Sequence, residues 1–356
     1  MTEFPTRAVH VPEITVRESS PTPNAALQPP RAMSPWLSFA IRRGASLIVT
    51  FLALVVVSFM IVQLIPGDPA FAIAGANADL ADVERVRREL GLDLPLGQQF
   101  LTYIGQVLSG DLGTSFIYRQ PVATVIMSRL PFTATIAVAG IITVLLISIP
   151  LGMVVGLLTR AGRRGWLDTA FGVITGFLDS IPGYIVATFL VILFALGIGF
   201  FPMLPPAYST RMVVAESFVL PVAALVIGPI CTVSRVVRRE TAVVLENDYM
   251  RTARGWRLPA SKQYVKWALP NLLTTTLTLS GLIFSGMIGG AIVIESVFAL
   301  PGLGTGIIKA ILDRDYPVIQ GMVIVIGMIA ATINLLVDVV LGLIDSRNLG
   351  GSHANT

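Results

Sequence analysis

Histidine and cysteine are almost missing from this chain of 356 residues. The two histidines, His10 and His353, lie in polar stretches near either end, and the single cysteine, Cys231, sits inside an apolar run. One thiol can neither close an intramolecular disulfide nor assemble a thiolate metal site, so Cys231 reads as a small buried hydrophobe. With no histidine between those two, imidazole acid-base chemistry, Ser-His-Asp triads and histidine-held zinc drop out. No Gly-x-x-x-x-Gly-Lys-Ser/Thr run occurs, so the chain is not expected to bind or hydrolyse ATP itself. Charge is scarce too, at 13%. The first thirty residues lack the basic region, prompt apolar run and small-residue cleavage site of a secretory signal; residues 1–35, rich in proline, serine and threonine, read as a disordered cytoplasmic tail.

What remains is apolar. Hydrophobic residues make up 54% of the chain and the mean hydropathy is +0.78, which places it in the polytopic membrane class. A helix crossing the hydrocarbon core needs about 20 apolar residues at about 1.5 Å each. Six runs meet that length, at 45–65, 132–158, 169–196, 213–233, 272–294 and 317–344. The expected fold is therefore an all-α membrane protein of six transmembrane helices. It divides into the tail 1–35, a first helix 45–65, an extracytoplasmic cap 66–130, a five-helix transmembrane domain 131–345 and a short cytoplasmic tail 346–356. Pro150 predicts a kink in the second run, and Gly152 with Gly156 a smooth face for close helix packing. Gly281, Gly286, Gly289 and Gly290 predict the same for the fifth. In the cap, Val83, Val86 and Leu90, then Phe100, Ile104, Val107 and Leu108, recur at helical spacing and predict two amphipathic helices. Asp68 and Asp111, each beside glycine, read as turn residues rather than catalytic ones.

Two carboxylates lie well inside the apolar runs. Asp179 lies well inside the third run near Pro182, and Asp338 inside the sixth with Asn334. An unpaired charge near mid-membrane costs about 2.5 to 3.5 kcal/mol, so each should face a watery path or a partner. Either could line a substrate path, with Asp179 attracting a cationic amino group; an interhelical hydrogen bond or a protonated side chain explains each equally well.

Between the fourth and fifth runs lies a polar island, residues 235–271, with eight Lys or Arg against three Asp or Glu. The apolar flanks force it into water, and the positive-inside bias puts it in the cytoplasm. Pro259 and Pro270 are expected to punctuate it into two short helices. Fifteen basic residues fall near the membrane on the side shared with this island, against Arg211, Lys309 and Arg314 in the two short outer loops. Both termini are thus expected inside.

The island resembles the coupling loop of binding-protein-dependent ABC importer permeases. The likeness rests on Asp248, Tyr249, Met250, Arg251, Thr252, Ala253 and Arg254, then Leu258, and the closing Leu269, Pro270 and Asn271. Where the family pattern places a glycine this chain has Arg257, with Gly255 two residues earlier, so the turn is expected to be reshaped. The segments IPGDPA, ELGLDLPL and SGDLGTSF resemble the outer loop of the peptide and nickel permeases, the B-type chain of that family. ESVFALPGLG, residues 295–304, resembles the family's loop between its last two helices, marking Glu295, Pro301, Gly302 and Gly304 as an outer gate.

The resemblance implies a type I ABC importer transmembrane subunit in the bacterial inner membrane, passing dipeptides or oligopeptides. Its partners would be a second homologous permease, two ABC ATPases carrying ATP and Mg, and an external solute-binding protein, with no nucleic acid. This chain would bind no cofactor or metal. Glu246, Asp248, Arg251, Thr252, Ala253, Arg254, Leu258 and Pro270 would form the ATPase-coupling surface, with Tyr249 as its apolar anchor. Nickel or glutathione are alternative cargoes within the family. An ion-coupled secondary transporter using Asp179 and Asp338, or an intramembrane aspartyl dyad of the same pair, are readings from other classes.

Overall fold

A computed structural model of the chain describes residues 35–64, 69–74, 78–89, 91–162, 164–195, 215–256, 259 and 262–344. The two tails, Asp68, Leu90, the loop after the third run, Leu258, and Arg257 with the turn expected of it lie outside them.

The described residues are helical apart from loops and one isolated bridge between Thr114 and Pro121. Helix α1 spans Pro35–Leu64, and three short helices follow: α2 Pro69–Ala74, α3 Leu80–Glu89 and α4 Leu96–Leu108. Then come α5 Val122–Leu158, α6 Gly165–Asp179 and α7 Gly183–Leu190. Helix α8 Val219–Glu246 leads to α9 Asp248–Gly255, α10 Leu269–Val297, α11 Leu303–Leu312 and α12 Tyr316–Ile344.

Five helices, α1, α5, α8, α10 and α12, are long and apolar enough to cross a bilayer. The third run differs from a straight span. Its halves, α6 and α7, meet at an angle of 86°. Pro182 supplies no N–H and disfavours helical geometry at Ile181. Ser180 closes α6 by donating its hydroxyl and its N–H to the Gly176 carbonyl, at 2.7 and 3.1 Å. Counted as one broken span, the pair is the sixth.

Other boundaries shift for physical reasons. Helix α5 starts at Val122, inside the expected cap, and runs through Pro131 and Pro150 unbroken. Helix α8 continues thirteen residues beyond the apolar run, to Glu246, absorbing the first third of the polar island. Pro270 lies in the first turn of α10, where a missing N–H is not needed, rather than ending a short helix of the island.

The main core joins α5, α7, α8 and α10 through Ile136, Val144, Ala187, Leu225, Val233, Met287 and Ile294. Small residues set how closely these helices approach. A Cβ on Gly152 would stand 2.6 Å from the Ser234 carbonyl oxygen, and one on Gly156 2.8 Å from Thr241 Cβ, so α5 and α8 touch backbone to backbone there. Gly281 admits Val337 of α12 in the same way, and Gly290 meets Leu225, whereas Gly286 and Gly289 face open space.

In the cap, α4 packs on α1. Phe100 lies 5.2 Å from Phe59, Val107 is buried with Val55, and Ser58 shares a 2.8 Å hydrogen bond with the Tyr103 hydroxyl. Burial pushes the Tyr103 phenol above its ordinary value, with the Ser58 bond opposing, so it stays neutral. Leu108, expected on the buried face, is exposed. Asp111 accepts from the Gly113 N–H at 2.9 Å, the turn chemistry expected of it.

Candidate functional site

Helix α9 holds most of the expected coupling residues. Met250 and Ala253, one turn apart, are buried, while Asp248, Thr252 and Gly255 form the exposed face. Met250 enters a cluster with Val244 and Leu245 of α8, Leu272 of α10 and Ala268 just before it; Met153 and Leu157 of α5 pack against the same cluster. One short helix is thereby fastened to the ends of three long ones. Asn247 is extended and forms the corner between α8 and α9. Tyr249 is half-buried against the cluster, and Glu246 and Pro270 are exposed. Trp256, 65% exposed, meets Trp267 edge to face at 6.4 Å, joining the end of α9 to the residues just before α10.

The break in the third run forms the second feature. Asp179 ends α6 at the bend. Its carboxylate accepts from Arg235 Nη2 at 2.6 Å and from Thr232 Oγ1 at 2.9 Å, both on α8. The two charged side chains are 31% and 27% exposed. A turn along α8, Arg238 pairs with Asp168 near the start of α6. Beside Asp179 opens a cavity of about 510 Å³, between α7, α8 and α10, mostly apolar, with Thr232 and Tyr184 on its wall.

Asp338 lies elsewhere. It pairs with Arg43 of α1 at 2.8 Å, beside a different cavity lined by α1, α10 and α12. The two intramembrane aspartates therefore have separate partners and separate surroundings.

The segment from Glu295 to Gly304 is built around Glu295, which is fully buried at the end of α10. After Phe298 the chain turns through Ala299, at φ 51°, and Leu300 N–H returns to the Glu295 carbonyl at 2.9 Å. The Glu295 carboxylate then accepts from Thr133 Oγ1 and from the N–H groups of Gly304 and Thr305, at 2.7 and 3.3 Å for the latter two. It caps α11, whose first donors have no partner inside their own helix. A Cβ on Gly302 would lie 2.3 Å from the carboxyl carbon, and one on Gly304 2.3 Å from Ile292 Cα. Pro301, exposed, follows the turn at Ala299.

The sequence as a whole matches the family of binding-protein-dependent transport system inner membrane components over residues 148–349, and that family's N-terminal domain over 36–137. The chain belongs to this family. Among the permease's relatives, a putative peptide transport system permease protein of Brucella abortus is 37% identical over 86% of this chain and 97% of its own length. A glutathione transport system permease protein, GsiC, of Pectobacterium atrosepticum is 35% identical over 85% of this chain and 95% of its own. The permease is thus a multi-pass inner membrane component of an ABC importer.

Four residues around these features escape a reading by hydropathy. Arg235 and Arg238 look like part of a solvated basic loop and are instead the ion-pair partners of α6. Thr133 and Arg129 of the permease reach the segment from Glu295 to Gly304, Thr133 also accepting the Leu303 N–H at 2.8 Å and Arg129 approaching the Gly302 carbonyl. Arg235 and Asp179 are 56 residues apart in sequence, and only Asp179, a charge inside an apolar run, signals that it needs a partner.

Proposed function

We propose that this chain is one of two homologous membrane subunits of an ATP-driven importer of small peptides. Two cytoplasmic ATPases would drive it and an external binding protein would deliver the cargo. The observation that carries the coupling role is the seating of α9. Met250 and Ala253 hold it on the ends of α5, α8 and α10, while Asp248 and Thr252 point away from the bundle side. A partner gripping the outer face moves three spans together. Shifting such a two-state equilibrium from 1:99 to 99:1 takes about 5.5 kcal/mol of differential binding, which closure of the ATPases on nucleotide would supply.

Peptide cargo is supported by the relatives' names and by the ion pair beside the cavity at the α6–α7 break. Non-helical backbone at membrane depth is tolerated where it lines a water-filled cavity or is buried in protein, and transporters place binding sites at broken helices. Glutathione, a tripeptide, belongs to the same chemical class. Asp338, already paired with Arg43, is assigned to helix packing in this reading, and the segment from Glu295 to Gly304 to the outer gate.

The test is the variant Tyr249→Ala with Arg254→Ala in the reconstituted complex. Expression and membrane insertion should match the wild type while substrate-stimulated ATP hydrolysis is lost. Undiminished stimulation in that variant would remove the docking claim.

A further inference from the structure

We infer that the Asp179–Arg235 pair is a charge-exchange site for a zwitterionic peptide: the peptide ammonium replaces Arg235 on Asp179, and the peptide carboxylate takes the released guanidinium. The inference rests on the importer reading above and names how its cavity recognises cargo.

Three observations converge. Asp179 lies inside a run of sequence apolar enough to span a bilayer, at the point where that span breaks by 86°, and Arg235 meets it there from α8. Both side chains keep about a third of their surface open, which neither a sealed structural bridge nor a lipid-facing residue can do cheaply at that depth. The cavity that Asp179 borders, with Arg235 behind it on the carboxylate, is about 510 Å³ and falls in the range of about 300 to 1,000 Å³ that small ligands occupy. Its wall is otherwise apolar, from Ile181, Val186, Leu225 and Met287, with Tyr184 and Thr232 as neutral polar groups.

The physical logic is compensation. A peptide crossing the membrane carries one charge of each sign, and each must be matched in a medium that solvates neither. An opposed pair supplies both matches yet has no net charge when empty, so the resting subunit holds no unpaired ion. On exchange one ion pair becomes two, and the total charge in the membrane does not change. Thr232 donates to Asp179 in the resting state and remains to hold the carboxylate in place while its arginine leaves. A peptide with a blocked end would strand one side chain, the penalty that rejects it.

The experiment uses the full complex with its binding protein in proteoliposomes, and three forms of one tripeptide: free, N-acetylated and C-amidated. Each variant's uptake is divided by that of the wild type for the same peptide, so the binding protein's own preference cancels. Asp179→Asn should slow the free and amidated forms about tenfold or more while sparing the acetylated form, since loss of one member of a desolvated pair costs at least that. Arg235→Gln should give the converse pattern. The double variant Asp179→Asn with Arg235→Gln has no stranded charge; it should assemble and still import the free peptide poorly. Equal losses for all three peptides in the single variants, or wild-type uptake of the free peptide by the double variant, would assign the pair to helix packing and overturn the exchange. A wild-type complex that imports none of the peptides would instead overturn the importer reading on which it stands.

Discussion

Glu295 has no exposed surface, and its carboxylate organises a turn, a helix start and a contact with α5 through Thr133. Removing it leaves the Gly304 and Thr305 N–H groups and the Thr133 hydroxyl without an acceptor, each costing about 1 to 3 kcal/mol when buried. Glu295→Ala should therefore lower the thermal midpoint of the purified complex sharply, and Glu295→Gln, which keeps an acceptor oxygen, by less. Gly304→Ala should be as severe as Glu295→Ala, because its methyl would meet Ile292 backbone rather than a movable side-chain end. Equal midpoints for Glu295→Ala and Glu295→Gln would show that the capping bonds contribute nothing. At this scale the sequence marks Glu295, Pro301, Gly302 and Gly304 as a unit. It does not disclose that the glycines are there to make room for the glutamate, since that is a relation between atoms brought together by the turn at Ala299.

Among the elements, α5 and α8 depend most on close approach. Gly152→Ala would push a methyl to 2.6 Å from the Ser234 carbonyl, whereas a Cβ on Gly172 of α6 meets nothing within 4 Å. Gly152→Ala should cost about 1 to 3 kcal/mol as overpacking and reduce the yield of folded subunit in detergent, with Gly172→Ala near wild type. Similar yields from both would show that the α5–α8 contact can relax. The apolar runs foretold all six spans, though not the break in the third, and foretold Phe100, Ile104 and Val107 on the α4 contact face but not the exposure of Leu108. Hydropathy ends a span at the first charges, so it stops α8 near Val233; the backbone ladder continues to Glu246 because Arg235 and Arg238 have acidic partners on α6. Pro182 signals a disturbance, but whether proline kinks a helix, as it does not visibly interrupt α5, or turns it by 86°, depends on what fills the bend.

For the molecule as a whole, long-range polar stitches join regions that are far apart in sequence. Asp315, buried between α11 and α12, accepts from Ser115 Oγ and from the Phe116 and Ile117 N–H groups at 3.2 and 3.4 Å, tying the loop before α5 to the last two helices. Asp315→Ala should free that loop, so limited proteolysis from the outer side should cut near residues 115–120 faster than in the wild type while the spans stay intact. An unchanged cleavage rate would mean that the apolar packing of Val122, Ile126 and Ile319 holds the loop alone.

The linear order of residues determined that this is a membrane protein, roughly where its helices cross and which family it resembles. Those properties are sums over neighbouring residues, and transfer into a bilayer responds to such sums. Only the tertiary structure decided that α9 is clamped by three spans, that the two intramembrane aspartates have different arginines, and that an ion pair lies beside a cavity at a broken helix. Pairing and enclosure depend on which distant residues come within a few ångströms, and no local pattern of hydropathy encodes that distance.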